Sequence, residues 1–252
     1  MTTPEPRTPR DQESWARPVD KLSTTATGAG SDRVTGKRVT GPVQGFGQMW
    51  QKTFAVRLEG CELTPQELVA HWKANFPTFW PKGARFYAPL SGISPGEVAL
   101  LEVQAMPGAP LTMSTGVMVI YADAESFTFM TPEGHMLSAW ITFSSHKDGD
   151  ITVAQVQALE RASDPFVELS YVLGANRQND RFWEQTLDNL ARSVGVADPN
   201  VVTAKVCVDK RRQWRYARNV RGSIVVSTAI GTVTAPVRWV RRRAAGGRAT
   251  GS

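Results

Sequence analysis

The sequence has little sulfur and little imidazole: two cysteines, Cys61 and Cys207, and three histidines in 252 residues. The cysteines stand at no metal-ligand spacing, and no two histidines sit at i and i+4 beside a glutamate, so no metal and no cofactor is expected. Two thiols far apart in the chain are expected to be reduced, as in a cytosolic protein. No run approaches the roughly 18 apolar residues of a membrane-spanning helix. The N-terminus carries proline and acid where a secretion signal needs a basic start and an apolar stretch, so a cytoplasmic chain is expected. A phosphate loop is excluded in GAGSDRVTGKR, because Ser31 occupies the first glycine position and Arg38 that of the metal-binding hydroxyl. Ser144 and Ser145 precede His146 without the GxSxG elbow of a serine nucleophile.

What is present is unevenly spread. The formal net charge is +6, yet 12 of the 29 Lys and Arg lie from Lys205 onward, against the single acid Asp209. The basicity belongs to the end of the chain, and the rest is near neutral and slightly acidic. Residues 1–43 are rich in Thr, Pro, Gly, Ser and mixed charge, with Trp15 as their one aromatic ring. Such a segment buries too little to offset the entropy of ordering, so a disordered arm is expected there.

Order is expected from about residue 44. In MWQKTFAVRLEG, Trp50, Lys52 and Phe54 alternate against Gln51, Thr53 and Ala55, a strand pattern with the aromatics on one side. TPQELVAHWKANF then opens a helix with Thr64 as N-cap, Pro65 in the first turn and Glu67 closing a capping box, and Leu68, Trp72 and Phe76 form its buried stripe. ARFYAPL, GEVALLEVQA, STGVMVIYA, SFTFMT, MLSAWITFSS and ITVAQVQALERA follow, separated by short turn-forming breaks, which predicts an antiparallel meander. After Ala162 the period becomes helical, with Ser163 or Asp164 as cap, Pro165 at the start and an interruption near Gly174 and Asn176. A second stretch there carries Trp183, Leu187, Leu190, Ala191 and Val194 on one face, with Gly195 as its stop. The fold class read from this is α+β, a curved antiparallel sheet of six or seven strands wrapped on a long C-terminal helix.

That order, strand, helix, meander and terminal helix, resembles the START-like, or helix-grip, superfamily over residues 44–196. Within it, FTFMTPEGHMLSAWITFS is similar to the FxYGTxPGHPxxGExxF region of a bacterial and plant family known only as a domain of unknown function. Phe127, Phe129, Thr131, Gly134, His135 and Phe143 carry the match, while Met136 replaces the proline and Ala139 or Trp140 the acid. The resemblance implies an apolar ligand such as a lipid, sterol or polyketide held between sheet and helix, or, as in some members, cyclase or hydrolase chemistry. Residues 197–252 would be a basic extension beyond that domain.

The residues leave three functions open. Tyr87, Met118, Phe129, Trp140, Phe143 and Trp183 are bulky groups that could line an apolar ligand cavity or fill a core. His135, oriented by Glu133, or Glu102 on its apolar strand, could serve a cofactor-free cyclase, isomerase or hydrolase. The competing readings are a histidine satisfying a turn carbonyl and a Glu102 on the wet side of the sheet. The basic end could be a docking element for an anionic membrane surface, with nucleic acid phosphates the weaker alternative. Helical spacing there would align Arg211, Arg215 and Arg218, with Arg212 beside them and Arg241, Arg242 and Arg243 further on. The plain alternative is an accessory helix with a solvated charged face.

Overall fold

The computed structural model describes residues 12–26, 30–104 and 112–228. A short helix α1 (Ser31–Val34) and strand β1 (Val39–Thr40) lead into β2 (Met49–Leu58) and helix α2 (Pro65–Asn75). The meander is β3 (Ala84–Tyr87), β4 (Val98–Gln104), β5 (Thr112–Ala122), β6 (Ser126–Pro132), β7 (Leu137–Asp148) and β8 (Ile151–Ala162). Helices α3 (Pro165–Ser170) and α4 (Asn176–Ser193) follow, then a further strand β9 (Val201–Asp209). Among the described residues the sheet has nine strands: β3-β4-β5-β6-β7-β8-β2-β9 in order, with β1 added to β6, and each pairing is antiparallel.

The local signals act as the sequence predicts. The Thr64 hydroxyl accepts from the Glu67 amide and the Glu67 carboxylate accepts from the Thr64 amide, closing the capping box of α2. Asp164 accepts from the amides of Phe166 and Val167, a cap whose loss costs about 1 kcal/mol. A π-type turn over Tyr171–Ala175 separates α3 from α4, and Gly174 there has φ 119°, a left-handed value that a side chain would strain. Leu68, Trp72 and Phe76 are fully buried, each worth about 1.5–3 kcal/mol in transfer free energy.

α2 and α4 share one face of the sheet. Their apolar stripes meet the inward residues of the strands in one core that includes Phe54, Trp72, Phe127, Phe143, Trp183 and Leu187. The opposite face carries a second, smaller core of Leu22, Ala26, Val34, Val98, Leu100 and Met118.

That second core corrects the expectation of a disordered arm. Residues 15–26 and 30–34 pack against β4 and β5, where the Ala16 amide donates to the Ile120 carbonyl and Trp15 packs on Tyr121 at 4.7 Å, and β1 then adds to β6. Leu22 and Val34, small beside an aromatic ring, supply the burial that composition alone did not reveal. The first eleven residues lie outside the described part.

The expected boundary after residue 196 cuts the sheet. β9 pairs along β2, Lys205 opposite Lys52, so the extension begins inside the fold. Residues 210–222 beyond it form no α-helix. Arg211 and Arg212 lie in an irregular stretch, and Trp214–Gly222 forms a 3₁₀ helix, held by Asn219 donating to the carbonyls of Gln44 and Ser163. Cys61 and Cys207 are both free thiols, and no helix among the described residues is long and apolar enough to cross a membrane.

Candidate functional site

Alternation on the strands decides where the candidate side chains go. Phe129, Phe143 and Trp183 point into the main core, but they fill it: the Phe127 and Phe143 rings stack at 4.8 Å, and Phe143 meets Trp72 at 5.4 Å and Trp183 at 5.6 Å. Tyr87 and Met118 face the other way, into the smaller core with Leu22, Ala26 and Val34. Trp140 is on that outer side too, 44% exposed. Neighbouring strand residues point to opposite faces, so these six do not converge on one cavity.

The three proposed acid–base groups do not form one site either. Glu102 lies on the outer face and accepts from the Tyr87 hydroxyl at 2.6 Å. Glu133 is held by the Arg38 guanidinium at 2.6 Å; burial works to raise its pKa, and the bonds from Arg38 outweigh that and hold it below the usual carboxylate value. Instead of orienting His135, it ties the β6–β7 turn to the segment before β1. His135 stands on the same turn, with Nδ1 2.9 Å from the Leu137 amide and 3.1 Å from its carbonyl, so the ring satisfies a turn group in either tautomer. Gly134 (φ 88°) is covered by Gly222, whose oxygen would lie 2.5 Å from a Cβ.

Burial lowers the His135 pKa from 6.5 to about 4, against the opposing effect of its bond to Leu137. The unfolded chain therefore takes up the extra proton first. The contribution of neutral His135 is complete above pH 6.5 and is lost as the pH falls through about 4. Urea midpoints recorded across this window should decline toward acid, and less steeply in His135→Gln, whose amide oxygen still accepts from Leu137; parallel declines would show that His135 titrates freely.

The buried polar centre is elsewhere, and the sequence reading passed over most of it. Lys52, on the aromatic side of β2, is 1% exposed and places its ammonium 2.6 Å from Glu160 of β8 and 2.9 Å from Asp180 of α4. Asn176 accepts a third bond at 2.6 Å, and Lys205 of β9 also pairs with Asp180. The one local hint is a lysine between Trp50 and Phe54 on the apolar side of an alternating strand. This network clamps α4 to the sheet by opposite charges buried between β2, β8 and α4.

The basic residues near the end of the chain are partly neutralised. Arg211 pairs with Asp209 and Arg212 with Glu168, whereas Arg215 and Arg218 are exposed and have no ion pair among the described residues. Arg241, Arg242 and Arg243 lie outside the described residues.

A cleft of about 1610 Å³ opens between α4, the turn after α2 and the start of β3. Phe79, Trp80, Val103 and Phe182 give it apolar walls, with the Trp80 and Phe182 rings edge to face at 5.0 Å. The Asn189 amide donates to the Phe79 carbonyl at 3.0 Å and fixes α4 against that turn. Lys82, Arg177, Arg181 and Arg192 stand among its polar lining residues, none of which is an acid among the described residues. The signal available in the sequence was NRQNDRFWEQ, with arginines one helical turn apart beside an aromatic pair.

No protein-family model and no curated protein matches the sequence. Among solved structures, the chain is similar to a START superfamily protein from Mycobacterium smegmatis, at 19% identity over 59% of this chain and 97% of that one, with a TM-score of 0.37. It is similar to major latex-like protein 151 from Panax ginseng at 14% identity, over 59% and 99% of the two chains and a TM-score of 0.36. For the di-domain ARO/CYC StfQ from the steffimycin biosynthetic pathway the values are 10% identity, 58% and 50% coverage, and 0.43. With an antiparallel meander and two helices, α2 and the long α4, on one face, the chain has an α+β fold of helix-grip type.

Proposed function

We propose that this protein binds a hydrophobic or amphipathic small molecule, and that it does so in the open cleft beside α4 instead of the filled space beneath the helix. The apolar walls made by Phe79, Trp80, Val103 and Phe182 carry this reading, because they form a concave surface that water alone satisfies poorly. A ligand ring or chain laid there would bury area on both partners, with polar side chains at the rim fixing its orientation. A reaction at this site would need an acid–base pair facing the cleft, and His135, Glu133 and Glu102 are not among its lining residues.

Neutral N-phenyl-1-naphthylamine, which fluoresces on leaving water, tests the apolar walls directly. It should bind saturably, and Phe182→Ala should weaken it about 10-fold, the worth of a partly buried ring. Equal affinity in the two proteins, or no saturable binding to the wild type, would remove the cleft from consideration.

A further inference from the structure

The charges around α4 are segregated. Its acids turn to other partners: Asp180 to Lys52 and Lys205, Glu184 to the Thr203 hydroxyl at 2.9 Å, and Asp188 to Arg192 at 2.8 Å. Arg177 and Arg181 turn to the cleft, and neither they nor Lys82 has an ion pair or hydrogen bond among the described residues. Cations at i and i+4 on one helix repel each other, and their side chains start about 5–6 Å apart, close enough to reach a single group placed between them. A separate observation concerns the aromatic wall: the Trp80 indole N–H is shut off from solvent without an acceptor among the described residues. A donor-rich, acid-free rim over an apolar floor complements one kind of molecule, an apolar body with a negatively charged head.

We propose that the ligand of the cleft is a free anionic amphiphile whose carboxylate, sulfonate or phosphate head is held between Arg177 and Arg181, with Lys82 on the facing wall. This inference rests on the cleft reading above and adds the charge of the ligand to it. Arginine suits the role because its planar fork of donors matches the oxygens of such a head. The aromatic pair Trp80 and Phe182 would then receive the apolar body.

The test compares two probes that share one ring system, anionic 1-anilinonaphthalene-8-sulfonate and neutral N-phenyl-1-naphthylamine. Wild-type protein should prefer the sulfonate, and R177Q/R181Q should lose about 10-fold in sulfonate affinity per arginine while keeping its affinity for the neutral probe. Both positions are exposed, and an unchanged circular dichroism melt verifies the fold. A sulfonate preference that survives in R177Q/R181Q overturns the anion site and leaves the cleft standing. Binding of neither probe by the wild type overturns the cleft itself. Flotation of wild type, but not R177Q/R181Q, on phosphatidylserine vesicles would assign the anion to a membrane surface and overturn the free-molecule reading.

Discussion

Replacing Lys52 by methionine should destabilise the fold by about 3–5 kcal/mol, a large part of the roughly 5–15 kcal/mol that holds a typical domain together. The ammonium has three donors, and Glu160, Asp180 and Asn176 take one each at 2.6, 2.9 and 2.6 Å. Methionine matches the stem in length but offers no charge. It would leave the Glu160 carboxylate, 2% exposed, with only Asn179 at 3.3 Å. Most of the loss is the penalty of stranding buried carboxylates, so K52M/E160Q/D180N should recover much of what K52M loses. Urea denaturation of the three proteins measures this, and a single variant within about 1 kcal/mol of wild type would mean that water already reaches the cluster.

The same site sets an alkaline limit. Burial pulls the Lys52 pKa down, but attraction to Glu160 and the bonds to Glu160 and Asp180 more than reverse this, leaving it above 10.5. With the folded pKa raised, the stabilisation is complete below pH 10.5 and is lost as the pH climbs through the folded value. K52M should lack this alkaline component.

Ending the chain after Val196, where the meander and long helix alone would place the domain boundary, should abolish soluble folded protein. The cut removes β9 and bares the edge of β2. It takes Asp209 and the Arg211 carbonyl from Arg161, a buried guanidinium 3% exposed that bonds them at 2.6 and 2.9 Å. It also takes Lys205 from Asp180 and uncovers the turn carrying Gly134. An unpaired buried cation and an open nine-residue edge are each sufficient to destabilise or aggregate a domain. A chain ending after Thr228, which keeps every described contact, is the reference. If the shorter chain melts at the same temperature as the reference, β9 is an accessory and not a structural strand.

Much of this fold could be read locally. The Thr64–Glu67 box, the Asp164 cap, the break at Gly174 and the strands from β3 to β8 all follow from patterns within a few residues. β1 and β9 could not be read that way, because each exists only by pairing with a distant strand, and in VVTAKVCV the alternation was overshadowed by the basic residues after it. The candidate site was less legible. Trp140 and Phe143 lie an odd number of residues apart on β7, so alternation already sends them to opposite faces, and grouping them by bulk alone was the error. The cleft joins Trp80 to Phe182, an encounter no local period encodes.

The pairing of Lys52 with Lys205 also bears on how the molecule comes to be. A ribosome releases β2 long before its outer neighbour, so the nascent sheet must wait with one margin unpaired while α2, the meander and α4 assemble. Ladders between such remote segments close slowly, since the intervening chain must first be ordered. A late step of assembly is then the arrival of a valine-rich strand at an open sheet, and until it arrives the bare margin of β2 is a surface on which another copy of the chain can pair.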